Sequence, residues 1–301
     1  MTKTMTYLLG MLITILVGIW LYMTLCSTCM APVAQAPVSE PVLPVQPEAT
    51  SFPFALTDGD FAYNVNDNYN FNTSSTSILM PLSQKVSDGV ASLKAYFGEN
   101  PGKVIDITGY YRGDEENNTA YPNLGLARAN AVKNHLVQNG IPSAQINTIG
   151  KLMDDMVPKD GIYLGPVAYH IHGKSATADD ELKALYEKIK ADPLVLYFDT
   201  AESAITLSAA QRQKFADISR YLDKMPDASA QIVGHTDNTG DSNTNMSLGQ
   251  KRADFAKAYL MRNGISETKI NAVSRGSKDP IASNATEEGK AKNRRTVITL
   301  N

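Results

Sequence analysis

A stretch of twenty-four residues occurs twice in this chain, the second time 124 positions after the first and without a gap. Residues 124–147 read LGLARANAVKNHLVQNGIPSAQIN, and residues 248–271 read LGQKRADFAKAYLMRNGISETKIN. Eleven of the twenty-four positions are identical. The apolar segments ahead of them also correspond, VIDITG at 104–109 against AQIVG at 230–234. A period this long exceeds any solenoid unit, so the chain holds two whole domains rather than a repeat array. With 301 residues there is room for both and for short accessories.

The second copy gives the clearest order of elements. Residues 193–198 (PLVLYF) form an apolar strand. Ser208 followed by Gln211 is a capping-box signature, and Phe215, Ile218 and Leu222 stripe one face of the helix it starts. A strand through Ile232 and Val233 follows, then a helix from Ser247 to Asn263 stopped by Gly264. A strand near 270–273, a short helix near 286–293 and a last strand at 297–300 complete the domain. The order βαβαβαβ predicts an α/β (α+β) fold with a mixed sheet and helices on one face. In the first copy Val86, Val90, Leu93 and Phe97 stripe the first helix, which Pro101 ends.

Charge is absent from Thr4 to Ser39. Within that run residues 7–26 read YLLGMLITILVGIWLYMTLC, and twenty residues at about 1.5 Å each match the hydrocarbon thickness of a bilayer. Tyr7, Trp20 and Tyr22 stand where interfacial aromatic belts lie. The competing expectation is a cleaved signal peptide, with Ala34-Gln35-Ala36 as a cleavage site, but Pro37 follows it and the apolar run is too long. Lys3 on the short side, with no basic residue soon after the span, orients the N-terminus toward the cytoplasm. Residues 31–53 then hold six prolines, a semi-rigid spacer reaching roughly 70 Å. The expected organisation is therefore a transmembrane anchor at 1–30, a Pro-rich linker at 31–53 and a first domain at 54–173. A connecting helix at 174–192 and a second domain at 193–301 follow.

The second copy carries several spaced polar motifs: Gly234-His-Thr-Asp-Asn-Thr-Gly240, Asn245-x-x-Leu248-x-x-x-Arg252-Ala253, Asp279-Pro-Ile-Ala, Asn284-x-Thr286-x-Glu288-Gly289 and Asn293-Arg-Arg295. Together they resemble the OmpA-like peptidoglycan-binding domain over about residues 190–301. Gly249 departs from the usual Ser, and Thr296 from the common Val. The resemblance implies a wall-binding module that recognises diaminopimelate in a peptidoglycan stem peptide.

The residues themselves fit that ligand. Asp237 follows a strand and Arg252 lies in the next helix, so the turn between them can bring both to one end of the sheet. A carboxylate there takes an ammonium and a guanidinium takes a carboxylate, which suits an amino-acid end. The plainer alternative is that Asp237 and Arg252 pair with each other. Thr239, Asn245 and Arg294 match pocket positions of the family, though each could serve locally as a turn, cap or surface residue. In the first copy Tyr110-Tyr111-Arg112 stand at the places of His235-Thr236-Asp237, Tyr121 replaces Asn245, and Arg128 keeps the place of Arg252. An arginine facing another arginine would repel an ammonium. Asp114 or Glu115 could substitute for the missing carboxylate, and the first copy reads as degenerate.

Other chemistry is thin, and the expectation is a non-enzymatic envelope protein without a cofactor or a metal. His170 and His172 share a strand face but lack a third ligand. No nucleophile elbow, phosphate loop or HExxH motif occurs. A formal charge of −3 argues against nucleic acid. Cys26 and Cys29, the only cysteines, lie at the membrane exit outside any βαβ pattern and could cross-link two chains or stay inert. The expected partners are peptidoglycan and, through residues 7–26, a lipid bilayer. An envelope complex or a homodimer stays open, and the inner membrane is favoured over the outer. The alternative reading is an accessory or stator-like subunit of a motor or secretion complex. An ion-driven stator acting alone needs an ionisable residue such as Asp or Glu in its span, and residues 7–26 have no Asp, Glu, His, Lys or Arg.

Overall fold

A computed structural model describes residues 3–26 and 48–301. The chain divides into two units, Met1–Pro47 and Glu48–Asn301. In the first, α1 (Lys3–Leu21) continues into a π-helical turn at Tyr22–Cys26. The stretch Lys3–Leu25 has a mean hydropathy of 2.2, long and apolar enough to cross a membrane. Two of its hydroxyls are satisfied internally, Thr14 donating to the Met11 carbonyl at 2.8 Å and Thr24 to that of Trp20 at 2.8 Å. A helix that closes its own polar groups is what a hydrocarbon environment demands. Cys29 and most of the Pro-rich spacer fall outside the described residues.

The second unit begins with residues that the sequence assigns to the end of the spacer. Thr50 N–H donates to the Val157 carbonyl at 2.9 Å and Phe52 N–H to that of Leu164 at 3.1 Å. Strands β1 (Phe54–Asp58) and β2 (Phe61–Val65) form an antiparallel hairpin. After the short β3 (Phe71–Asn72) comes α2 (Gln84–Glu99), capped by Ser83. Next are β4 (Lys103–Tyr111), α3 (Leu124–Gln138), β5 (Ile146–Leu152), β6 (Ile162–Tyr163) and β7 (Val167–Gly173). β4 is the centre of a three-stranded sheet, parallel to β5 and antiparallel to β7. Phe54, Phe71, Leu93, Phe97, Ile105, Ile107 and Leu136 make its core.

Helix α4 (Ala178–Ala191) then leads into the second copy. Its acidic first turn and basic last turn complement the helix dipole. Ile189 enters the second copy's core, and Lys188 pairs with Asp217 at 2.7 Å. The second copy runs β8 (Leu194–Tyr197), α5 (Ala209–Lys224), β9 (Ala230–His235), α6 (Ser242–Arg262), β10 (Ile270–Gly276), α7 (Glu287–Asn293) and β11 (Arg295–Leu300). Its sheet order is β10-β9-β11-β8, with β9 parallel to β10 and antiparallel to β11. The βαβαβαβ order and the mixed sheet are as the sequence predicts. Leu196, Ile232 and Ile298 from the sheet join Phe215, Leu222, Ala253 and Leu260 from α5 and α6 in one core, so both helices cover the same face. The capping box at Ser208 and Gln211 is formed on both sides.

Helix α6 differs from expectation. It starts at Ser242, five residues before the predicted Ser247, because Asp241 caps it by accepting from the N–H groups of Asn243 and Thr244. Residues 242–246 carry no apolar stripe, so periodicity could not reveal this extra turn.

The two copies also touch. The buried Lys133 of α3 forms an ion pair with the half-buried Asp223 of α5 at 2.9 Å. Lys224 donates to the carbonyls of Ala144 at 2.9 Å and Ile146 at 2.6 Å, and burial pushes its pKa down to about 8.

Gly234 explains why strand and helix can approach so closely. A Cβ built there would lie 1.9 Å from the Gly249 carbonyl oxygen, and one at the equivalent Gly109 would lie 2.1 Å from that of Gly125. Backbone cannot yield as a flexible side chain would. Gly234→Ala should therefore cost about 3 kcal/mol of stability in chemical denaturation, the upper end for an overpacked site. Gly102→Ala, which meets nothing within 4 Å, should stay near wild type. A Gly234→Ala chain as stable as wild type would refute this packing.

Candidate functional site

The site forms where β9 ends. His235 is the last residue of that strand, and Thr236, Asp237, Asn238, Thr239 and Gly240 lead to the Asp241 cap of α6. Thr236 hydroxyl donates to the Asp237 carbonyl at 2.8 Å, closing the turn on itself. Asp237 is only 5% exposed. One of its oxygens accepts from the Thr239 N–H at 2.9 Å and the other from the Arg294 guanidinium at 2.9 Å. Burial alone would raise the Asp237 pKa. The Thr239 N–H and Arg294 outweigh it and hold the carboxyl below the usual carboxylate range.

Arg294 is itself fixed. It caps the C-terminus of α7, and its Nε donates to the Phe198 carbonyl at 3.1 Å. The neighbouring residues of the motif serve the loop before α7. Asn293 side-chain oxygen accepts from the N–H groups of Ile281 at 2.8 Å and Ala282 at 3.1 Å. Arg295 donates to the Asp279 carbonyl at 3.1 Å.

Arg252 is fully buried in α6. Its guanidinium does not pair with Asp237 through a hydrogen bond. It forks onto three carbonyls instead: Glu202 at 2.8 Å, His235 at 2.9 Å and Asp199 at 3.1 Å. The Phe198 ring lies 5.1 Å from its central carbon. Burial pushes its pKa down to about 10, opposed by the nearby Asp237 charge. The plainer alternative, a structural Asp237–Arg252 bridge, is thus replaced by an Asp237–Arg294 bridge beside a second guanidinium. One carboxylate and two guanidiniums leave one positive charge in surplus.

Asn245 is buried in the first turn of α6, and Thr239 is exposed at the rim. His235 is buried, and its Nδ1 has no hydrogen-bond partner among the described residues. Burial, then the Arg295 charge, push its pKa down to about 4, so the ring is neutral at physiological pH.

Sequence reasoning missed two features here. The carbonyls of Asp199 and Glu202 are backbone groups and carry no residue-type signal. Between them Ala201 adopts a φ of 63°, a left-handed conformation unusual for alanine. The pairing of Arg294 with Asp237 depends on β11 lying beside β9, which only the sheet order reveals. No group of three or more histidine, cysteine, aspartate or glutamate side chains able to hold a metal occurs among the described residues.

In the first copy the Arg112 side chain has partners of its own. It pairs with Asp114 at 2.9 Å and donates to the Met156 carbonyl at 2.8 Å. Arg112 is thus charge-paired by Asp114 rather than standing unpaired beside Arg128. Glu115, not Asp114, meets the buried Arg128.

The OmpA family model matches residues 70–157 and 197–294, covering both copies. The chain is 33% identical over 144 residues to the probable lipoprotein YiaD of Escherichia coli, a match covering 45% of this chain and 65% of that protein. It is 36% identical over 121 residues to the peptidoglycan-associated lipoprotein of Buchnera aphidicola, covering 40% and 68%. It is 46% identical over 87 residues to the peptidoglycan-binding protein ArfA of Mycobacterium bovis, covering 28% of this chain and 27% of that protein.

Proposed function

The chain belongs to the OmpA family, and from that premise we propose that it is a non-catalytic tether joining a membrane to peptidoglycan. Two relatives are named for association with peptidoglycan, which supports the same ligand here. The observation that carries the reading is the cluster of Asp237, Arg252 and Arg294 at the end of β9. Its carboxylate suits an ammonium, and its surplus guanidinium charge suits a carboxylate. The amino-acid end of diaminopimelate in a stem peptide presents both groups. Thr239, whose N–H holds Asp237, and Asn245, buried in the first turn of α6, complete the site in this reading. The span at 7–26 holds the chain in a bilayer, the inner membrane in our reading. The spacer that follows carries the wall-binding copy outward.

Co-sedimentation tests this directly. The full chain in detergent should pellet with purified diaminopimelate-type peptidoglycan. It should pellet less with a lysine-type wall, which lacks the second carboxylate for Arg252. Equal pelleting with both walls would remove the diaminopimelate assignment, and none with either would remove the tether.

A further inference from the structure

The two copies hold their buried arginines in the same way up to a point. In each, Nε donates to a carbonyl directly after a residue with left-handed backbone: Ser75 after Ser74 (φ 54°) for Arg128, and Glu202 after Ala201 (φ 63°) for Arg252. In each, Nη1 donates at 2.9 Å to a carbonyl at corresponding positions of the central strand, Tyr110 or His235. In each, an aromatic ring lies 5.1 Å from the guanidinium, Tyr163 or Phe198.

Beyond that point they diverge. In the second copy Nη2 donates to the Asp199 carbonyl. In the first copy Nη1 and Nη2 both donate to Glu115, one to each carboxylate oxygen. The first of those oxygens also accepts from the Arg112 N–H at 2.9 Å, and the second from the Ser74 N–H at 2.9 Å. Four N–H donors therefore enclose one carboxylate, two on each oxygen, and the Glu115 side chain is 3% exposed. This is a complete carboxylate receptor, and two of its donors are backbone groups that no side-chain substitution removes.

We infer that the first copy retains a carboxylate-binding site around Arg128, filled in cis by Glu115. Glu115 is an internal ligand, standing where an external carboxylate would meet the matching guanidinium. The comparison with an external ligand rests on the wall-binding reading of Arg252. The site itself rests on the four donors. A copy that supplies its own carboxylate is closed to free ones, and vacating it should open it to a small carboxylic acid.

Glu115→Ala in the full chain, followed by thermal unfolding in sodium acetate against sodium chloride at matched ionic strength, tests this. The variant should melt below wild type, since a buried guanidinium has lost its counter-charge. Acetate should then raise its melting temperature by several degrees, saturably and beyond any response of wild type. The wild-type curve accounts for acetate acting at Arg252. Glu115→Gln, which fills the same volume, and the double variant Glu115→Ala/Arg128→Met should show no extra acetate response. If Glu115→Ala folds only when acetate is present, the inference also stands. If it responds no more than wild type, or stays unfolded at every acetate concentration, the inference falls. Asp237 and Arg252 are untouched throughout, so failure of wall pelleting and failure of acetate rescue are separate results.

Discussion

Asp237→Asn should leave the domain folded and weaken its hold on diaminopimelate-type peptidoglycan by at least about thirtyfold. Losing a charge-assisted contact to a desolvated ligand group costs about 2–5 kcal/mol, and each 1.4 kcal/mol is tenfold. Asparagine is the informative substitution because of what Asp237 does in the folded chain. Its side-chain oxygen can still accept from the Thr239 N–H or from Arg294, while the charge facing an ammonium is gone. Alanine would confound the result. It would leave Arg294 and Arg252 close together without a carboxylate, and breaking such a buried pair costs about 3–5 kcal/mol of stability. The same care applies to Arg252, whose guanidinium holds three carbonyls. Arg252→Lys keeps the charge but not the planar fork, so both affinity and melting temperature should fall. Pelleting assays and circular dichroism melts on the same preparations separate the two effects. An Asp237→Asn chain that is folded and pellets like wild type would move the ligand site elsewhere.

These expectations differ from those the residues alone suggest, and the difference has a physical origin. The repeat, the capping box at Ser208 and the apolar stripe of Phe215, Ile218 and Leu222 are local patterns, so they were legible in the sequence. The convergence of Asp237 and Arg252 was also legible, because a strand, a short turn and a helix leave few other arrangements. The identity of Asp237's partner was not. Arg294 is 57 residues away and reaches Asp237 because β11 inserts beside β9 in the sheet. Nor could sequence choose between Asp114 and Glu115 in the first copy. That choice depends on Arg112 bonding Asp114 through its side chain while its backbone N–H meets Glu115. Where backbone carbonyls and strand order decide the outcome, residue types stay silent.

His235 should make the second copy sensitive to acid, although it carries no charge at neutral pH. Its ring is buried at the end of β9, and burial with the Arg295 charge lowers its pKa from 6.5 to about 4. Asp279 opposes this shift and Arg275 reinforces it, both more weakly. Between those two values the unfolded chain binds a proton that the folded chain refuses. Stability from this group is therefore full above about pH 6.5 and is lost as pH falls toward 4. A shift of this size is worth up to about 3 kcal/mol. Asp237 acts in a lower window, because its depressed pKa makes its contribution complete above the unfolded value of about 3.9. In the first copy two effects oppose each other: burial lowers the pKa of His135, while the Asp106 carboxylate 3.1 Å away raises that of His172. Only a difference measurement isolates His235. Urea unfolding of wild type and His235→Leu, repeated from pH 7 to pH 4, supplies it. The wild-type free energy should fall relative to the variant across that range, by up to about 3 kcal/mol. Parallel curves for the two chains would show that the His235 ring takes up its proton in the folded state, and its burial would then have no part in acid stability.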